Sequence, residues 1–157
     1  MIGLDVLGIR LVSPEEPPVL LLQEQGGSRC LPIWIGNIEA AAIAVALEGE
    51  PPQRPMTHDL LASVVDLLGD GVGEAGAVRI TRMHDGVYDA VLLVGGHEIP
   101  ARPSDCVAIA VRLGWPMECP VALMDQVGVE VEESSTDEVE AFRAFLDTVN
   151  ADDFEDE

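Results

Sequence analysis

The sequence predicts an α+β fold in which a curled, mixed β-sheet surrounds two related helices, with a further helix near the C-terminus. Three observations lead to this prediction. Short apolar segments of strand length alternate with turn residues. Two alanine-rich helical segments resemble each other. Finally, 48% of the 157 residues are apolar, which suits a single domain with one buried core.

The first part of the chain is predicted to be three strands followed by a helix. Residues 3–12 and the segment "VLLLQEQ" are strands, separated by "SPEEPP", whose prolines cannot continue a ladder. "RCLPIWI" is the third strand, and Pro32 favours a place at the edge of the sheet. The helix "IEAAAIAVALEG" follows, with Asn37 as its predicted N-cap and Gly49 at its end.

The second part of the chain repeats this succession after an intervening helix. Thr57 is the predicted N-cap of "HDLLASVVDLLG", whose apolar residues recur at helical spacing. "GAVRITRMHDGVYDAVLLVGGHEIPA" predicts a hairpin that turns at residues 85–86, then a short third strand. A helix starts at Pro103 with Ser104 as its cap, and "WPMECPVAL" is predicted to be a final strand or an extended segment.

The end of the chain is strongly acidic. We predict a domain over residues 1–125, a C-terminal extension over 126–149 and a disordered acidic tail over 150–157. Solubility is the simplest role for such a tail. The extension contains an amphipathic helix, "STDEVEAFRAFLDTV", with one apolar face formed by Val139, Phe142, Phe145, Leu146 and Val149.

A short segment occurs twice. "AIAVAL" at residues 42–47 matches "AIAVRL" at 108–113, an offset of 66 that also aligns Glu39 with Asp105. An internal duplication explains the match and the strands that precede each copy. The alternative is a chance likeness between two alanine-rich helices.

Composition excludes several classes of protein. The formal net charge is −21 and all eight basic residues are arginine, so no lysine-rich surface is available for nonspecific DNA binding. The three cysteines form no metal-binding or redox pair, and no signal peptide or apolar run of membrane-spanning length is present. We therefore expect a cytoplasmic protein without a membrane partner. Common nucleotide-binding, zinc-protease and serine-hydrolase motifs are absent.

Three acidic residues fall in the first turns of predicted helices: Glu39, Asp59 and Asp105. Two of them follow the same pattern, since "RPMTHD" and "RPSD" each place an arginine and a proline before a hydroxyl residue and an aspartate. A purely structural explanation is available for each position. Acids stabilise helix N-termini through the macrodipole, and Arg54 and Arg102 can pair with them.

The same residues taken together supply the parts of a phosphodiester hydrolase. Helix N-termini and arginines bind phosphate, carboxylates hold Mg²⁺ or Mn²⁺, and a histidine can accept a proton. The predicted catalytic residues are His58, Asp59 and Asp105. The predicted substrate-binding residues are Arg54, Arg102 and Ser104, and the predicted ligands of a divalent metal are Glu39, Asp59 and Asp105.

Four segments of the chain resemble a known family. The segments "LPIWIGNIEAAAIAVALEG", "RPMTHDLL", "DGVYDAVLLV" and "ARPSDCVAIAVRLGWPM" are similar to the bifunctional nuclease domain family, long catalogued as a domain of unknown function. The resemblance spans roughly residues 1 to 125. The positions that match its motifs are Glu39, Arg54, His58, Asp59, Arg102, Ser104 and Asp105.

The resemblance implies a self-associating α+β domain, with a dimer as the first expectation, and both DNase and RNase activity. An enzyme is therefore expected, although the net charge of −21 disfavours a nucleic acid partner unless metal or local arginines compensate. Two alternatives remain open: a non-catalytic protein-interaction module, and a binder of small anionic ligands.

Overall fold

The computed structural model describes residues 1–11, 13–49, 52–69 and 76–131, which form eight strands and four helices. The strands are β1 (Ile2–Arg10), β2 (Val19–Glu24), β3 (Arg29–Trp34), β4 (Ala77–His84), β5 (Val87–Val94), β6 (His97–Ala101), β7 (Met117–Cys119) and β8 (Val129–Glu130). The helices are α1 (Asn37–Glu48), α2 (Thr57–Gly69), α3 (Pro103–Leu113) and α4 (Val121–Val127). The predicted helix at 135–149 and the tail at 150–157 lie outside the described residues.

The α+β prediction is confirmed, and the strand order repeats as the sequence match suggests. The sheet runs β6-β5-β4-β7-β1-β2-β3-β8. β1, β2 and β3 form an antiparallel meander that leads into α1, and β4, β5 and β6 form a second one that leads into α3. The strands that feed the two matching helices therefore run in the same order, as a duplication requires.

β7 joins the two meanders at the middle of the sheet. It pairs antiparallel with β1 and parallel with β4, so the sheet is mixed. The sheet curls without closing into a barrel. Trp34 at the end of β3 and Tyr88 in β5 line one groove, although four strands separate β3 from β5 in the sheet.

α3 occupies the centre of this curled sheet. It packs against α1, α2, β4 and β5. Its buried residues run almost without a break from Pro103 to Ala110, whereas α1 buries only Ala40, Ile43 and Ala44. The polar side chains Asp105 and Arg112 lie in the first and last turns of α3, so the middle of the helix is free to be buried on most of its faces.

The predicted hairpin turn is confirmed. Asp85 and Gly86 have φ angles of 53° and 77°, which is the left-handed conformation that a two-residue hairpin needs at both positions. The predicted side-chain caps are wrong for α1 and α3. α1 follows Gly36 and α3 follows Arg102, and neither helix has a side-chain cap hydrogen bond.

Two strand predictions need correction. β3 is not the edge strand, because β8 pairs with it at Arg29 and Cys30. Pro32 lies beyond the reach of β8, so its missing N–H breaks no ladder bond. "WPMECPVAL" is a strand only at β7, since the chain after Pro120 turns into α4. No helix among the described residues is long and apolar enough to cross a membrane.

Candidate functional site

The three acids singled out from the sequence occupy the same place in their helices. Glu39, Asp59 and Asp105 are each the third residue of α1, α2 and α3. Their carboxylates therefore lie near the unpaired N–H groups of the first turn, where negative charge is stabilised. Their further partners differ, and these partners decide what each acid can do.

Arg102 links two of the three acids. Its Nε donates to Asp105 Oδ2 at 2.9 Å and its Nη2 to Asp105 Oδ1 at 3.2 Å, a two-pronged contact. Its Nη1 donates to Glu39 Oε1 at 3.0 Å, although the two residues are 63 positions apart in sequence. The pKa of Arg102 is raised by the hydrogen bond to Asp105 and then by that to Glu39. The guanidinium thus bridges the N-termini of α1 and α3.

His58 joins the same cluster from α2. Its Nε2 lies 2.9 Å from Asp105 Oδ1, and both side chains are mostly buried. An ionised carboxylate can only accept, so Nε2–H donates and Nδ1 remains the acceptor nitrogen of a neutral ring. Burial raises the pKa of Asp105, but the hydrogen bonds from Arg102 and His58 outweigh it and hold the pKa below its usual value.

Asp59 has different partners. Its Oδ1 accepts from Arg112 Nε at 2.7 Å, and its Oδ2 accepts from the backbone N–H of Met56 at 2.9 Å. The first bond ties α2 to α3, and the second closes the start of α2 as a capping box does. The Arg112 hydrogen bond, followed by the Met56 N–H, lowers the pKa of Asp59. Thr57, predicted to be the cap, is the first helical residue instead.

A groove of about 410 Å³ opens beside Arg102. Trp34, Gly36, Tyr88, Pro103 and Ser104 line it together with the exposed guanidinium. The groove thus meets the N-termini of both matching helices at Gly36 and Pro103. A Cβ at Gly36 would meet the Glu39 carboxylate, so a larger residue here would require the end of that side chain to move.

Ser104 is the notable polar residue of the groove wall. It is only 6% exposed, and its hydroxyl makes no hydrogen bond to a described residue. No described side-chain polar atom is both fully buried and unpaired, so the hydroxyl has access to the groove. The first main-chain bond of α3 runs from the Cys106 N–H to the Arg102 carbonyl, which leaves the N–H groups of Ser104 and Asp105 ahead of it.

The structure therefore gathers some of the predicted site residues and separates others. Four side chains form one connected cluster, which we call the Arg102 cluster: Glu39, His58, Arg102 and Asp105. Ser104 lies beside it in the groove wall. Asp59 is held apart by Arg112. Arg54 is exposed and makes no ion pair with a described residue.

The predicted metal ligands do not form a ready site in this arrangement. Arg102 already lies between Glu39 and Asp105, and Asp59 is bound to Arg112. Among the described residues, no group of three or more His, Cys, Asp or Glu side chains is arranged to hold a metal ion. A divalent ion between these carboxylates would need the arginines to move away.

Two features of the site were not found from the sequence. Arg112 is the partner of Asp59, and the signal for it was inside the repeat, where "AIAVRL" has arginine in place of the Ala46 of "AIAVAL". Trp34, which is not one of the predicted site residues, is 55% exposed and lines the groove with Tyr88. The available signal is an aromatic residue at the end of a predicted strand, three positions before the start of α1 at Asn37.

Fold and site together define an α+β domain whose two repeated helices present their N-termini, an arginine and a histidine–aspartate pair at one place. The profile of the bifunctional nuclease domain family matches residues 19–132, and the chain belongs to this family.

The relatives are of two kinds. Uncharacterized protein Rv1829 of Mycobacterium tuberculosis (strain H37Rv) is 45% identical over 159 aligned positions, which cover 95% of each chain. Bifunctional nuclease 1 of Arabidopsis thaliana is 29% identical over 125 positions, which cover 75% of this chain and 38% of the plant protein. Bifunctional nuclease 2 of Oryza sativa subsp. japonica is 28% identical over 113 positions, covering 68% of this chain and 34% of the rice protein.

Proposed function

We propose that this protein is a nuclease-like phosphodiester hydrolase that acts on DNA, RNA or both, with the groove beside Arg102 as its substrate site. The observation that carries the proposal is the Arg102 cluster, in which a histidine, its orienting aspartate and an arginine meet at two helix N-termini. Family membership and the names of the two plant relatives support the same class of substrate.

Three groups can bind a phosphate in the groove under this proposal. Arg102 is 63% exposed, and three of its five N–H donors are used within the cluster, so two remain. The Ser104 hydroxyl and the N–H groups at the start of α3 supply neutral donors. These neutral donors matter because Glu39 and Asp105 already balance the charge of Arg102.

His58 is the proposed general base. His58 does not itself line the groove and is linked to it through Asp105 and Arg102; with Nε2–H held by Asp105, its Nδ1 is the nitrogen left to take the proton of a water that attacks phosphorus. Asp105 stabilises the imidazolium that results, and the same proton can then pass to the leaving oxygen as the P–O bond breaks. Asp59, paired with Arg112, is assigned to holding α2 in place so that His58 reaches Asp105.

The requirement for a divalent metal ion stays a prediction. Mg²⁺ or Mn²⁺ would supply charge neutralisation for a phosphate approaching a chain of net charge −21. The contacts of Arg102 and Arg112 with the candidate ligands give that ion no prepared site, so none of the steps above depends on it. Assays that contain Mg²⁺, Mn²⁺ or EDTA test the requirement directly.

The test is cleavage of short labelled DNA and RNA by purified protein. Asp105→Asn and His58→Ala should each lower the rate about 100-fold or more, because both remove the oriented base. Arg102→Lys should lower it about tenfold, since lysine cannot form the two-pronged contact. Asp89→Asn and Arg82→Lys are the matched controls, because this exposed ion pair on β4 and β5 does not line the groove.

Circular dichroism must show that each variant is folded. Equal rates for Asp105→Asn, Asp89→Asn and wild type would overturn the proposed mechanism. If wild type cleaves no substrate under any metal condition but binds a nucleotide or phosphate in an Arg102-dependent way, the protein is an anionic-ligand binder. If it neither cleaves nor binds, the interaction-module hypothesis takes its place.

A further inference from the structure

The groove beside Arg102 has two aromatic residues in its wall. Trp34 ends β3 and is 55% exposed, whereas Tyr88 in β5 is partly buried and packs against the core. Tryptophan is highly buried on average in folded proteins. A tryptophan that remains open to solvent inside a groove is therefore a feature that packing does not explain.

The repeated framework does not require an aromatic residue at either position. The offset of 66 aligns Trp34 with Pro100 and Tyr88 with Leu22. Pro100 is an exposed residue of β6, and Leu22 is fully buried. The equivalent places in the other half of the repeat are thus filled without an aromatic ring. The two aromatic residues share one groove because the sheet curls.

Charge alone gives this groove little attraction for a chain of phosphates. Of the described residues that line it, Arg102 alone is basic, and Glu39 and Asp105 balance its charge. Since the whole chain carries a net charge of −21, further phosphates of a strand are repelled. Most of the binding free energy must therefore come from contacts that do not depend on charge.

An aromatic side chain supplies such a contact to a nucleobase. Every base has a π-face, and stacking on one aromatic residue raises affinity about 5- to 150-fold. The groove volume of about 410 Å³ lies near the lower end of the range of small-molecule sites, about 300–1,000 Å³. A volume of this size suits one nucleotide.

We infer that Trp34 and Tyr88 form a base subsite, in which one nucleobase stacks on the Trp34 ring while its phosphate lies at Arg102. The inference rests on the proposed function, because it takes the ligand to be a nucleotide. It adds the group that provides affinity, which neither Arg102 nor Ser104 provides alone.

The base subsite should discriminate only weakly between bases. Apart from the two aromatic residues, Arg102 and Ser104, the described lining residues are glycine, proline, isoleucine and valine. Their side chains have no donor or acceptor for the edge of a base. Recognition then depends on ring area, so a purine nucleotide should bind a few-fold more tightly than a pyrimidine nucleotide.

The first test is quenching of Trp34 fluorescence by adenosine 5′-monophosphate (AMP), excited at the red edge of the indole band, where the nucleotide absorbs little. Ribose 5-phosphate lacks the base, so it should bind about fivefold or more weakly and leave the emission unchanged. Trp34→Phe should abolish the quenching and, by calorimetry, bind AMP within about threefold of wild type. Trp115, which packs against the core, supplies only background emission.

The second test separates ring stacking from apolar bulk. Trp34→Leu keeps an apolar side chain without a ring, and Trp34→Ala removes both; each should weaken AMP binding about fivefold or more. Val121→Ala is the matched control, because Val121 is 47% exposed and does not line the groove. It should bind as wild type does. Circular dichroism must show that each variant is folded.

Ionic strength provides a third measurement. With one phosphate contact, AMP affinity should fall only about threefold from about 50 to about 200 mM salt. Three results would overturn the inference: equal binding of AMP and ribose 5-phosphate, undiminished AMP binding by Trp34→Ala or Trp34→Leu, and no AMP binding by wild type up to about 10 mM. A steep salt dependence would also contradict it, since several phosphate contacts would then dominate.

Cleavage kinetics keep this result apart from the proposed function. If wild type and Trp34→Ala cleave with the same KM, the hydrolase proposal stands and the base subsite is wrong. If AMP binds through Trp34 but no substrate is cleaved, the base subsite stands and the hydrolase proposal is wrong. If both are correct, Trp34→Ala should raise KM about fivefold or more with little change in kcat, because stacking stabilises ground state and transition state equally.

Discussion

α1 and α3 derive from matching sequence, yet they have different places in the molecule. Both contain "AIAV", both follow a three-stranded meander, and both end at a glycine in the left-handed conformation, Gly49 and Gly114. α3 lies at the centre of the sheet and is buried along nearly all of its length, whereas much of α1 is exposed. The same local sequence therefore builds a core element in one half and a covering element in the other.

The starts of the two helices differ in chemistry as well. The position before the helix is Gly36 in the first half and Arg102 in the second, and the second helical residue is Ile38 in one and Ser104 in the other. Only the second half thus supplies an arginine and a hydroxyl group to the groove. This difference indicates that the repeat provides the framework and that its second copy provides most of the chemistry.

The largest expected effect is a difference in stability between two variants that place an aspartate at equivalent positions of α1 and α3. Val107→Asp should cost about 4 kcal/mol or more and leave little folded protein, because an unpaired carboxylate would be buried in the core. Ala41→Asp, 66 positions earlier on the exposed side of α1, should change stability by about 0.5 kcal/mol or less. Urea unfolding measures both, and similar losses would contradict the assigned burial of α3.

A smaller and equal effect is expected at the ends of the two helices. Gly49 and Gly114 have φ angles of 75° and 68°, and an added Cβ would meet no neighbouring atom at either site. Gly49→Ala and Gly114→Ala should therefore each cost about 1 kcal/mol from backbone strain alone, or about 3 °C in Tm. Differential scanning calorimetry can compare them, and a clearly larger loss at one end would show that the two C-termini are not equivalent.

The smallest expected effect is on how the free energy of unfolding depends on pH under acidic conditions. Asp105 has a folded-state pKa below 3.8, because the hydrogen bonds from Arg102 and His58 outweigh its burial. Its contribution to stability is complete above pH 3.8 and is lost as pH falls through the folded-state pKa. Asp105→Asn should therefore show a shallower fall in unfolding free energy than wild type below this pH. Parallel curves would mean that Asp105 gains nothing from its partners.

Much of the framework could be predicted from sequence because its signals are local. Apolar runs of strand length, the Asp85–Gly86 turn and the left-handed glycines at helix ends all act within a few residues of the chain. The offset of 66 also aligned Glu39 with Asp105, and both contact Arg102. α4 was missed because Pro120 was interpreted as part of an extended segment.

The candidate site was only partly predictable. The sequence offered three equivalent acids at helix starts, with "RPMTHD" and "RPSD" as matching patterns. Nothing local distinguished Asp59, which pairs with Arg112, from Asp105, which pairs with Arg102 and His58. Which acid meets which arginine depends on how α2 and α3 cross, and that crossing follows from packing.

The sequence by itself determined the succession of strands and helices, the repeat, and the residue types that can bind phosphate and move a proton. Each of these depends on neighbours along the chain. The tertiary structure alone decided which groups meet: Glu39 reaches Arg102 across 63 positions, and His58 reaches Asp105 across 47. Contacts over such separations form only when the curled sheet brings the helix starts together. No local feature of the intervening sequence specifies which distant residues will meet.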